Sequence, residues 1–106
     1  MKILITGGKS VQALKLVTAR AGDEVILADY GEALLFPSDR YQFISLGDRN
    51  DEVIAHNLLS HCLDHEVAAI LPLYDFEMVE LAKASVLFEE FNIQVLMPES
   101  NQVLSQ

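Results

Sequence analysis

Lys2-Ile3-Leu4-Ile5-Thr6-Gly7-Gly8-Lys9-Ser10 is the stretch whose reading decides the fold. Consecutive large aliphatic residues without polar alternation are what a strand covered on both faces carries. Two glycines then mark a tight exit. The following stretch, residues 10–21, sets Val11, Leu14 and Val17 on one side of a helix. Strand, glycine turn and helix open a βα unit, and the unit recurs along the chain.

Residues 24–29, 41–46, 67–73 and 93–97 read as further strands of the same apolar kind. Two more helices lie between them. Residues 51–65 carry Ile54, Leu58 and Cys62, with Val53, Leu59 and Leu63 widening the stripe; residues 76–91 carry Met78, Leu81, Ala82, Ser85 and Phe88. The punctuation agrees: Gly22 is placed to close the first helix, Asn50 and Asp75 to cap the second and third, and Asn92 to take a left-handed turn. Residues 30–40 show no helical pattern. This alternation predicts a small Rossmann-like, doubly wound α/β domain over residues 1–98, with a mainly parallel five-stranded sheet. Pro98 ends the last strand, and residues 99–106 read as the start of a connection that opens a helix. Ligands of such sheets bind beyond the carboxyl ends of the strands.

The chain has 106 residues, a length for one domain and not for a two-domain enzyme. Charged residues at 22% and hydrophobic residues at 51% exclude bulk disorder. With 7 Lys+Arg against 16 Asp+Glu the net charge is −9, which repels phosphate backbones and anionic lipid, so neither nucleic acid nor a membrane is an expected partner. Cys62 is the only cysteine, which excludes an internal disulfide and a four-cysteine zinc site. The N-terminus lacks the apolar core and cleavage site of a signal peptide, and a cytoplasmic location is expected.

Several groups carry candidate chemistry. Gly7, Gly8, Lys9 and Ser10 stand where backbone amides can meet a phosphate or carboxylate. The dinucleotide fingerprint is not met, because Lys9 and Gln12 occupy its second and third glycine positions. A phosphate-binding P-loop would need a glycine at Ile3. The same two glycines also serve as a tight turn and nothing more. Asp29 ends the second strand where a ribose-binding acid sits in nucleotide folds, or where a turn former sits before Gly31. His61 and His65 share one helical face, but His56 lies about 140° from His61, so a third metal ligand is missing and no metal site is expected. Pro72-Leu73-Tyr74-Asp75-Phe76-Glu77 brings two carboxylates and a tyrosine to the end of the fourth strand, as helix caps or as ligand contacts.

Residues 2–8, 24–29, 38–41 (Ser-Asp-Arg-Tyr) and 70–77 (Ile-Leu-Pro-Leu-Tyr-Asp-Phe-Glu), followed by Ile93-Gln-Val-Leu-Met-Pro98, resemble the N-terminal, pre-ATP-grasp domain of the ATP-grasp ligases, in their carbamoyl-phosphate-synthase-like branch. The resemblance covers essentially the whole chain, through diffuse patterns. It implies the substrate-side domain of a carboxylate–amine ligase, not catalytic alone and needing no cofactor of its own. It further implies a partner ATP-grasp region, in cis or in trans, that holds ATP and magnesium. Gly7, Gly8, Lys9, Ser10, Asp75 and Glu77 are the loop-tip residues it points toward substrate. Two other readings stand beside it: a free-standing Rossmann-like module that binds a nucleotide or small anion, and a structural or oligomerising domain. The Leu34-Leu35-Phe36-Pro37 run has no pattern to bury it, so self-association as a homodimer is expected, through this segment or the strand ends.

Overall fold

The computed structural model of the chain describes residues 1–33 and 38–105. Its strands are β1 (Lys2–Ile5), β2 (Glu24–Asp29), β3 (Tyr41–Ser45), β4 (Ala69–Leu71) and β5 (Gln94–Val95), ordered β3-β2-β1-β4-β5 in one sheet. Every pairing is parallel, with Ile3 in register with Val25 on one side and Ala69 on the other. The helices are α1 (Val11–Ala19), α2 (Ile54–Asp64), α3 (Asp75–Lys83) and α4 (Ser85–Glu90).

Successive strand residues point to opposite faces, and both faces are covered. Leu4, Ile26, Ala28 and Ile70 meet Ile54, Leu58, Cys62, Leu81 and Phe88 from α2, α3 and α4. Ile3, Ile5, Val25, Leu27, Ala69 and Leu71 meet Ala13, Leu16 and Val17 from α1. That is why these strands show no polar alternation. The fold is the expected small Rossmann-like, doubly wound α/β domain. The order reverses between β1 and β4, which sets the ligand crevice of such folds at the exits of those two strands.

Local details depart from the sequence reading. α1 ends at Ala19, with the Arg20 N–H bonded to the Leu16 carbonyl, and the left-handed glycines are Gly7, Gly31 and Gly47 rather than Gly22. Asn92 does take the left-handed conformation. Asn50 does not cap α2. Its side chain accepts from the Glu52 N–H and its carbonyl from the Val53 N–H, so the asparagine closes a turn of its own and delays the helix to Ile54. Asp75 is the first residue of α3 rather than its cap, which is Tyr74. The third predicted helix is divided at Ala84, whose N–H is shared by the Glu80 and Leu81 carbonyls, a local tightening that interrupts the regular ladder. Residues 99–105 make one 3-10 turn (Ser100–Gln102), and then Leu104 forms a parallel bridge with Tyr74. The Leu34–Pro37 run on which self-association was expected lies outside the described residues. Among the described residues no helix is long and apolar enough to cross a membrane.

Gly8 is fixed by close approach. A Cβ there would lie 2.9 Å from Leu27 Cβ, 3.0 Å from the Ala28 nitrogen and 3.0 Å from the Phe43 ring. Gly8→Ala is expected to cost about 2 kcal/mol, because two of those neighbours belong to a central strand that cannot yield. Urea denaturation will measure it; an unchanged midpoint would show that α1 shifts freely.

Candidate functional site

Thr6 leaves β1 fully buried, and its hydroxyl oxygen accepts the Leu73 N–H at 2.9 Å. The Thr6 proton is thereby directed the other way, to Glu77 Oε1 at 2.5 Å. Tyr30, one residue beyond β2, donates its hydroxyl to Glu77 Oε2 at 2.6 Å. A carboxylate with 0% exposure is thus held by two hydroxyls from two strand exits. Burial pushes the Glu77 carboxyl up to about 7; the Thr6 and Tyr30 hydrogen bonds oppose that rise, and the Asp29 charge adds to it.

Asp29 is the second buried carboxylate. Its Oδ2 accepts the Lys9 N–H at 3.0 Å, and its Oδ1 accepts the Tyr30 N–H and the Tyr74 hydroxyl, each at 2.8 Å. Two tyrosine–carboxylate pairs therefore span the exits of β2 and β4, Tyr30 with Glu77 and Tyr74 with Asp29. Both phenols are held well above their ordinary range, first by burial; for Tyr30 the Glu77 charge comes next, and for Tyr74 the hydrogen bond to Asp29. Tyr30, Tyr74 and Phe76 pack as three rings, with centroids 5.3 to 6.0 Å apart.

The turn after β1 is engaged within the chain. Gly8 N–H donates to the Ala28 carbonyl at 2.9 Å, Lys9 N–H to Asp29, and Ser10 N–H to the Gly7 carbonyl at 2.9 Å. The Ser10 hydroxyl donates to the Gly7 carbonyl and accepts the Ala13 N–H, which makes Ser10 the cap of α1. Lys9 Nζ sits 2.8 Å from the Tyr30 carbonyl. Gly7 is covered by Leu104, whose Cδ1 would be 2.7 Å from a Cβ at that position. Leu104 also donates its N–H to the Leu73 carbonyl at 2.7 Å, and its carbonyl accepts the Asp75 N–H at 3.1 Å. Leu104 thus covers the turn between the exits of β1 and β4.

Of the residues singled out from sequence, Lys9, Asp29 and Glu77 are brought into one network with the turn of Gly7, Gly8 and Ser10. Asp75 stands apart, exposed on the first turn of α3. Thr6, Tyr30 and Arg49 were not singled out. Spacing carried a signal for the inward face of α3, since Glu77 lies four residues before Leu81 on the stripe that continues to Phe88. His61 and His65 lie on α2, and burial holds the His61 imidazole below its ordinary value, with the His65 charge adding to this. Burial pushes the Cys62 thiol up to about 12. Among the described residues no three His, Cys, Asp or Glu side chains are grouped to hold a metal. Compared with models of known protein families and with curated proteins, the chain matches none.

Proposed function

We propose that this chain is the substrate-side N-terminal domain of a carboxylate–amine ligase of the ATP-grasp type, in the carbamoyl-phosphate-synthase-like branch, and is not catalytic by itself. The observation that most supports this reading is the convergence of Thr6, Asp29, Tyr30, Tyr74 and Glu77 at the carboxyl ends of β1, β2 and β4, where a doubly wound sheet meets its ligand. The resemblance of residues 2–8, 24–29, 38–41 and 70–77 supports it independently. In this reading ATP and magnesium belong to an ATP-grasp region in cis or in trans. The residue 8–10 amides do not fit a polyphosphate, because each already donates within the chain.

The genomic locus tests the assignment. A reading frame that continues past codon 106 into an ATP-grasp region, or such a region in an adjacent gene, is expected; a stop codon with neither nearby would overturn it. Phosphoryl transfer needs cations and metal arranged around the polyphosphate. The isolated chain is therefore expected to release no phosphate from ATP above background. Magnesium-dependent release that disappears on Lys9→Ala would refute this.

A further inference from the structure

At the amino ends of β2 and β3, against the last turn of α1, lies a hollow of about 440 Å³. Its charged lining is three carboxylates, Asp23, Glu24 and Asp39, and two guanidiniums, Arg20 and Arg40. Most of this charge is already matched. Asp23 meets the Met1 ammonium through one oxygen and Arg20 through the other, each at 3.2 Å. Glu24 meets Lys2 at 3.4 Å. Asp39 and Arg40 are what remains: among the described residues neither has an ion-pair partner.

The local chain explains how two adjacent, opposite charges stay apart in one hollow. The Arg40 N–H donates to the Ser38 hydroxyl at 3.1 Å, a serine turn that bends residues 38–40 and suspends the alternation of side chains. Both side chains therefore line the same hollow instead of facing opposite ways. Arg40 then reaches across to α1, where its Nη2 donates to the Thr18 hydroxyl at 3.1 Å. That tether holds the guanidinium beyond ion-pair distance of Asp39 and engages one of its five N–H groups. The Ser38 hydroxyl accepts from Arg40 and keeps its own proton for another acceptor. Guanidinium donors, a hydroxyl donor and an unpaired carboxylate thus share one hollow.

We propose that this hollow binds a small zwitterion of the α-amino acid class, its carboxylate on Arg40 and Ser38 and its ammonium on Asp39. A plain anion is repelled by Asp39 and a plain cation by Arg40, whereas a zwitterion satisfies both. The volume of about 440 Å³ is that of a small-molecule pocket and leaves room for the ligand's side chain. The site lies at the far end of the strands from the Glu77 network, so it goes beyond the ligase reading and stands without it.

The test is an NMR titration of the chain with L-alanine at neutral pH. Propionate and ethylammonium, which each lack one of its two charges, are the comparison ligands. L-Alanine is expected to give saturable shifts of the residue 38–41 amides, with a dissociation constant on the order of 1 mM. Each comparison ligand should bind about fivefold more weakly, the scale of one exposed charge pair. Arg40→Gln and Asp39→Asn should each weaken L-alanine binding by the same factor. In Asp39→Asn propionate should then bind as well as L-alanine, and in Arg40→Gln ethylammonium should do so. Both residues are exposed, so neither change touches the core, and the Leu4 and Ile70 amides report that each variant is folded. Absence of saturation by L-alanine, propionate binding as tightly as L-alanine to the native chain, or native affinity in either variant would each overturn the proposal. None of these results depends on the genomic locus, and absent L-alanine binding leaves the ligase assignment unaffected.

Discussion

Glu77→Gln is expected to be more stable than the native chain at pH 8 and equal to it at pH 4. The carboxyl of Glu77 titrates at about 7 in the fold against 4.5 for its ordinary value, with burial as the main cause. Between those two values the folded chain holds a proton that the unfolded chain has released. Stability is therefore fully present below pH 4.5 and is lost as the pH rises toward 7. At about 1.4 kcal/mol per pH unit, the loss comes to about 3 kcal/mol. Glutamine keeps the shape of the protonated side chain and cannot ionise, so it escapes that loss. In thermal melts the variant should exceed the native chain by on the order of 10 °C at pH 8 and match it at pH 4. A native melting temperature that is level from pH 5 to pH 8 would show that Glu77 is not held as described. Glu77→Ala is the control and should be weaker at every pH, since it strands the Thr6 and Tyr30 hydroxyls and opens a cavity.

Asp29→Ala should be the most damaging single change at the strand ends, at about 4 kcal/mol. It leaves the Lys9 N–H, the Tyr30 N–H and the Tyr74 hydroxyl without their acceptor, and each buried donor so stranded costs about 1–3 kcal/mol. Asp29→Asn keeps an oxygen for Tyr30 and Tyr74 but turns an amide toward the Lys9 N–H, so it should lose about half as much. Urea denaturation will rank the two variants, and hydrogen exchange at Lys9 should become fast in both. An alanine variant as stable as the native chain would mean that water replaces the carboxylate at no cost. The two carboxylates feel each other's charge, so Asp29 and Glu77 substitutions will not add.

The fold was legible because Ile3, Leu4 and Ile5, Val25 to Ala28, and Ile70 and Leu71 are buried from both sides, and a run without alternation states that directly. The place where these side chains gather was legible too, since Asp29 ends β2 and Glu77 stands on the first turn of the helix that follows β4. Their role was not. A glutamate in the first turn of a helix ordinarily meets solvent and the helix dipole. Glu77 is instead inside because Thr6, 71 residues earlier, and Tyr30, 47 residues earlier, supply its donors. Pairings of that range have no local signature. Asn50 was misread for the opposite reason: its side chain can close a turn or cap a helix with the same atoms, and only packing decides which.

The two ends of the described chain lie at opposite ends of the strands. The amino group of Met1 pairs with Asp23 at 3.2 Å, and its carbonyl accepts from Glu24, where β1 and β2 begin. Leu104 is stitched to Leu73 and Asp75, just beyond the end of β4. A dye, a surface tether or a fused reporter joined ahead of Met1 will therefore stand clear of the rings of Tyr30, Tyr74 and Phe76. The same cargo joined behind residue 105 will be launched beside them and will shadow the ring cluster.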